Sequence, residues 1–203
     1  MSVPDIARGE RHAIRMQRKK DVVAGKIAAA ATERGVLLVN TGNGKGKSSA
    51  AFGVMLRAVA RQWNVAVLQF VKSGQWKVGE ETIGVQLGVD WRTLGTGFTW
   101  DSANLDADIA LARESWAQAA SVIADGKHDL VILDELTYLC TWGWVDTTDV
   151  VAAIVNRPKH VSLVITGRDA PQEIIDVADT VTEMREVKHA YAAGITAKRG
   201  IDY

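Results

Sequence analysis

Val36-Leu37-Leu38-Val39-Asn40-Thr41-Gly42-Asn43-Gly44-Lys45-Gly46-Lys47-Ser48-Ser49 passes from an apolar run into a glycine-rich loop that ends in Gly-Lys-Ser. Residues 36–40 are short, apolar and bounded by glycines, the pattern of a buried strand. A helix is predicted to start near Lys47 and to carry Ala50, Phe52, Met55, Leu56 and Val59. Strand, glycine-rich loop and helix, in that order, are the setting a phosphate-binding loop of Walker A type needs. The glycines let the backbone turn its N–H groups inward around an anion. The helix adds the positive end of its dipole. Lys47 is placed to reach phosphate oxygens, and the Ser48 hydroxyl is the expected ligand for Mg²⁺. The spelling is unusual. The G-x-x-x-x-G-K-[ST] spacing puts a glycine at position 41, where this chain has Thr41, and counting from Gly42 the loop is one residue short.

Outward from this loop the pattern is α/β. Further strands are predicted at 64–70, 89–94, 130–133, 161–166 and 180–184. Helices are predicted at 105–124, with Ile109, Trp116, Ala120 and Ile123 on one face, at 147–155 and at 171–178. Strands that are apolar throughout, alternating with helices, imply a mostly parallel sheet covered on both faces. The expected fold is a single P-loop, RecA-like domain. Ligands of such sheets bind outside the carboxyl ends of the strands. Two features stand there. The run Leu130-Val131-Ile132-Leu133 leads into Asp134-Glu135, where a cation bound to a triphosphate would neutralise the acids. Arg168 follows the strand 161–166, where a guanidinium can fork onto phosphate.

The chain has 203 residues, which suits one domain with an added arm. The first residues crowd Arg8, Arg11, Arg15, Arg18, Lys19, Lys20 and Lys26 around a loosely helical set of Ile14, Val22, Val23 and Ile27. The expected division is a basic, helical arm at 1–34 and a nucleotide-binding domain at 35–203. Lys plus Arg equals Asp plus Glu at 24 each, so whole-chain charge gives no attraction to nucleic acid or anionic membrane. With one cysteine, Cys140, no internal disulfide forms and a Cys-rich zinc finger is excluded. No segment approaches the roughly 18 consecutive apolar residues of a membrane span. The first residues lack the apolar core of a secretory signal. A cytoplasmic protein is expected.

The loop alone admits ATPases, kinases, GTPases and other transferases. A guanine-reading N-K-x-D is absent, and 154–159 is poor in the arginines of a kinase lid. A RecA-type ATPase, acting as motor or switch, remains open on these residues.

Several segments resemble one family, the P-loop ATP:corrinoid adenosyltransferases. They are GERHAIRMQRKK in the arm, TGNGKGKSS in the loop, GTGFTW at 95–100, LVILDELTY at 130–138, ITGRDAP at 165–171 and VKHAYAAGITAKRGIDY at the end. They spread over almost the whole chain, and the unusual loop spelling is typical of the family. The resemblance implies that reduced Co(I) attacks the 5′ carbon of ATP, that a Co–C bond forms and that triphosphate leaves, in adenosylcobalamin biosynthesis or corrinoid salvage. It implies ATP as substrate, Mg²⁺ (or Mn²⁺), a reduced corrinoid as co-substrate, a reduced flavin or flavodoxin-like electron donor, and a homodimer. Gly42, Asn43, Gly44, Lys45, Gly46 and Lys47 then line the triphosphate, with Ser49 and Arg168 adding contacts. Ser48 and Glu135 hold the metal, with Asp134 in support. Lys47 and Glu135 act at the reacting end. Phe98 and Trp100 resemble an aromatic pair that displaces the axial ligand of cobalt and makes it easier to reduce. The other tryptophans are read as packing, although Trp142-Gly143-Trp144 departs from the family pattern. A corrinoid carrier that binds without alkylating is a further alternative. In relatives an N-terminal segment closes over the site. Deleting residues 1–25 is therefore expected to lower corrinoid turnover more than ATP affinity, and identical kinetics for truncated and full-length chains would contradict this.

Overall fold

A computed structural model describes residues 8–73, 78–95 and 104–202. The chain divides into two compact units, Met1–Glu33 and Arg34–Tyr203. In the first, helix α1 (Arg8–Ala29) buries none of its residues. Ile14, Met16, Val22, Val23 and Ile27 are all exposed. One turn is supported by the Gln17–Asp21 hydrogen bond of 2.9 Å at i, i+4.

The second unit is a six-stranded sheet with helices on both faces. Its strands are β1 (Leu37–Thr41), β2 (Val65–Ser73), β3 (Asp90–Gly95), β4 (Leu130–Asp134), β5 (Ser162–Thr166) and β6 (Thr180–Glu183). Its helices are α2 (Lys47–Val59), α3 (Gly79–Gln86), α4 (Leu105–Asp125), α5 (Leu136–Thr141), α6 (Thr147–Val155) and α7 (Gln172–Asp176), with a short 3₁₀ turn at Tyr191–Ala193. The order across the sheet is β3-β2-β4-β5-β1-β6. All five pairings are parallel. Strand β5 thus lies between β1, which feeds the phosphate loop, and β4, which ends at the acidic pair.

The two-residue period of each strand sorts its side chains between two cores. Leu37, Val39, Leu68, Val131, Leu133 and Ile165 pack with α4 to α7. Val65, Val67, Leu130, Ile132 and Val164 pack with Ala51, Phe52, Met55 and Ala58 of α2. Strands β4 and β5 are buried at every position. Each large aliphatic side chain so buried contributes about 1.5–3 kcal/mol relative to exposure.

The expected elements form, with shifted ends. Strand β2 reaches Ser73, past the predicted end at 70, and the predicted last helix shrinks to five residues. On α4, Trp116 and Ile123 are buried, while Ile109 and Ala120 are only half-buried because Ala112 and Ala119 face the core more squarely. Two helices had no sequence signal. Helix α3 holds two glycines, and Gly84 is needed there because a Cβ would lie 2.9 Å from the Trp91 ring. Helix α5 is six residues long and buries Leu136, Thr137, Leu139 and Cys140, so packing rather than propensity makes it. Burial pushes the Cys140 thiol up to about 11, which suits a small apolar filler. Trp63, read as packing, is 46% exposed. Among the described residues no helix is long and apolar enough to cross a membrane.

Gly35 opens this unit against the strand-leading residue Val161. A Cβ on Gly35 would lie 2.1 Å from the Val161 carbonyl oxygen. The Gly35 N–H donates to the Lys159 carbonyl at 2.7 Å, so the two backbones have no room to part. Gly35→Ala is expected to cost about 1–3 kcal/mol through forced overpacking. Urea unfolding checks it: the midpoint falls while the slope stays constant.

Candidate active site

The phosphate loop is built by close approach as much as by turning. Gly42 and Gly46 hold left-handed φ values of 92° and 107°. A Cβ on Gly42 would lie 2.5 Å from the Met184 carbonyl oxygen, and one on Gly44 would lie 2.8 Å from Arg185. The loop therefore rests on the backbone that follows β6. The Gly44 N–H donates to the Met184 carbonyl at 2.6 Å, and the Met184 N–H donates to the Thr41 carbonyl at 2.8 Å. Helix α2 begins after Gly46 with no side-chain cap. Its first N–H groups have no partner inside the helix and form an anion-binding end.

Lys47 is buried, with 8% of its surface exposed. Its ammonium donates to the Gly44 carbonyl at 2.7 Å. Burial pushes its pKa down, the charges of Glu135 and Asp134 push it up, and that of Arg168 pushes it down. The charges of Glu135, Asp134 and Arg168 thus all reach Lys47. Because the folded pKa is depressed, the ammonium costs stability below that pKa, and the cost fades as pH rises through it towards the unfolded value. A bound polyanion would oppose this burial penalty. Asn43 and Ser49 are exposed and Ser48 is half-buried. Lys45 is exposed and forms an ion pair with Asp202 of the C-terminal tail.

Thr41 accounts for the irregular spelling. Its hydroxyl accepts the Ala170 N–H at 3.1 Å, which fastens the phosphate loop to the loop that carries Arg168. The Thr137 hydroxyl donates to the Arg168 carbonyl at 2.6 Å and holds the same loop from the other side. A Cβ on Gly167 would lie 2.0 Å from that hydroxyl oxygen, at a φ of 139°. Asp169 and Glu135 are non-glycine residues in the left-handed region, at 50° and 63°. Backbone strain of this kind gathers where surrounding structure enforces it, often at functional sites. The Arg168 side chain itself is exposed.

Asp134 is wholly buried. It accepts from Gln69 Nε2 at 2.9 Å and from Thr166 Oγ1 at 2.7 Å. Thr166 Oγ1 in turn accepts the Glu135 N–H at 2.9 Å. Sequence reading missed Gln69 and Thr166. The signal was present, since Gln69 interrupts the apolar run Val65-Ala66-Val67-Leu68 before Phe70. Trp91, read as packing, does pack against Phe52 in a tilted ring pair with centroids 5.1 Å apart, but its indole N–H also donates to Gln69 at 3.1 Å. Tyr138, Trp142 and Trp144 form a run of ring contacts at 5.1 and 4.8 Å. Burial raises the Tyr138 pKa, and the charge of Glu135 adds to the rise. Phe98 and Trp100 lie outside the described residues.

A glycine-rich loop running from a parallel strand into an uncapped helix, with a buried acid two strands away, defines a P-loop nucleotide-binding protein. Residues 33–203 match the family described as ATP:corrinoid adenosyltransferase BtuR/CobO/CobP. Residues 4–27 match the one described as Cob(I)alamin adenosyltransferase N terminal. The chain belongs to the ATP:corrinoid adenosyltransferase family. It is 45% identical to the corrinoid adenosyltransferase of Escherichia coli K12 over 194 residues, covering 96% of this chain and 98% of that one. The identity and coverage are the same with the corrinoid adenosyltransferase CobA of Salmonella typhimurium LT2. With the corrinoid adenosyltransferase of Pseudomonas aeruginosa PAO1 the identity is 46%, covering 96% of each chain.

Thr166→Val keeps the shape of the buried side chain but removes one donor from Asp134 and one acceptor from the Glu135 N–H. It is expected to destabilise the protein by about 1–3 kcal/mol. Thr166→Ser should restore most of the loss in the same denaturation experiment.

Proposed function

We propose that the chain transfers the 5′-deoxyadenosyl group of ATP to the Co(I) centre of a reduced corrinoid. The cobalt electron pair forms the Co–C bond, and the C5′–O bond breaks with its pair on the departing triphosphate. The reading is carried by the likeness to corrinoid adenosyltransferases over 96% of the chain. The proposed setting is adenosylcobalamin biosynthesis or salvage in the cytoplasm.

The residue roles follow from where charge develops. The leaving oxygens gain negative charge, so pre-aimed donors lower the barrier without reorganising. Lys47 and the first N–H groups of α2 supply these donors, with Asn43, Lys45 and Ser49 around the rim and Arg168 from the neighbouring loop. The N–H of Gly44 is held by Met184, so Gly44, like Gly42 and Gly46, shapes the cradle. Binding a triphosphate draws the Lys47 ammonium from the Gly44 carbonyl and Lys45 from Asp202. The donor set of one hydroxyl and adjacent carboxylates suits Mg²⁺, which prefers hard oxygens and keeps phosphate and water ligands. Ser48 and Glu135 would hold it, with Asp134 behind them, and bound there it supplies further charge neutralisation to the triphosphate. No water is activated, so Glu135 need not serve as a base. Phe98 and Trp100 are assigned to the corrinoid side of the reaction, where they would assist reduction by an external flavin or flavodoxin-like donor. A homodimer completes the proposal.

Product identity tests it. The protein is incubated with ATP, Mg²⁺ and chemically reduced cob(I)alamin, in the dark and without oxygen. A light-sensitive alkylcobalamin spectrum with one triphosphate per corrinoid is expected. ADP and phosphate with unchanged corrinoid would mean an ATPase, and bound but unaltered corrinoid and ATP would mean a carrier.

A further inference from the structure

Gln69 is a polar side chain inside an apolar strand, with 2% of its surface exposed. An amide buried there is costly unless each end finds a partner. Both ends do. The indole N–H of Trp91 can only donate, so its 3.1 Å contact turns the amide oxygen of Gln69 towards β3. The amide nitrogen must then face β4, where it donates to Asp134 Oδ2 at 2.9 Å. On the other flank Thr166 Oγ1 accepts the Glu135 N–H, so its own hydrogen points to Asp134 Oδ1 at 2.7 Å. Each oxygen of Asp134 is thereby addressed by a neutral donor from an adjacent strand. The chain of bonds ends on the backbone of Glu135, whose φ of 63° it helps to hold.

We infer that Gln69, with its amide polarity set by Trp91, is a positioning residue that orients the Asp134–Glu135 pair towards the Mg²⁺–triphosphate end of ATP. The inference rests on the metal-holding role given above to Glu135. Gln69 touches neither substrate nor metal. It acts through Asp134, as outer hydrogen bonds act on the ligands of other metal sites. Trp91 acts one bond further out. It belongs to α3 packing through its ring and to the site through its N–H, and the two contributions are separable by substitution.

The test reads ATP binding by titration calorimetry on the full chain, without corrinoid, across a Mg²⁺ series. Gln69→Leu is expected to raise the Mg²⁺ concentration needed for half-maximal ATP affinity by roughly tenfold or more. Affinity for ATP without Mg²⁺ should stay within about twofold, since the altered bonds do not point at the nucleotide. Trp91→Phe keeps an aromatic ring but loses the indole N–H, so it should shift the Mg²⁺ requirement in the same direction by less. The double variant should be no worse than Gln69→Leu alone, because both act along one path. Unchanged Mg²⁺ dependence in both single variants would overturn the inference. So would equal losses with and without Mg²⁺, additive effects, or wild-type binding indifferent to Mg²⁺. If Gln69→Leu does not fold, Trp91→Phe decides alone. Because no corrinoid is present, failure here is distinct from failure of the adenosyl-transfer reading, which the product assay judges.

Discussion

The site depends on a carboxyl group that water does not reach. Asp134 sits at the end of a strand buried at every position, and each of its oxygens is met by a donor from a neighbouring strand. Left without donors it would cost several kcal/mol. Supplied with them, it locks the carboxyl ends of β2, β4 and β5 into one register. Glu135 emerges from that lock in a left-handed conformation that sends the chain directly into α5. The sheet order then does the rest. With β5 between β4 and β1, the acidic pair and the phosphate loop face each other across a single strand, and Arg168 leaves from the strand between them.

On the loop side the constraint is space. Gly42 and Gly44 lie so near the backbone of Met184 and Arg185 that a side chain would collide. The Gly44 N–H, which points to Met184, holds the loop down instead of serving a phosphate. The threonine that breaks the usual spacing spends its hydroxyl on Ala170. The irregular spelling is thus a record of two attachments. It costs the loop a little anion-binding capacity and gives it a fixed position relative to Arg168.

Much of this could be read before any coordinates. Apolar runs located β1, β2, β4 and β5, because parallel strands buried on both faces have no polar alternation to blur them, whereas β3 was placed by its alternation and β6, exposed along its length, by its position after the last helix. The loop spelling and the Asp-Glu pair located both sides of the site. Helices α3 and α5 were not legible, since each owes its form to packing: Gly84 under the Trp91 ring, and Leu136 and Leu139 inside the core shared with α4, α6 and α7. Gln69 was hidden for the opposite reason. One amide in an apolar strand looks like noise until Asp134 and Trp91 are seen on either side. The strand ends were enough to put Lys47, Glu135 and Arg168 on the same edge of the sheet, whereas the bonds of Thr41, Thr137 and Thr166 needed the fold.

Strand β6 gives the loop a further property. It is the last strand at one edge of the sheet, pairs on one side only, and is exposed along its whole length. Yet the phosphate loop leans on the residue that follows it, through Gly44 and Met184. Edge elements with few buried contacts open most readily in a native protein. Fraying of β6 therefore releases the floor of the phosphate loop in the same excursion. A nucleotide that grips the loop slows amide exchange along β6 without touching it, so that the outermost strand reports occupancy of the site.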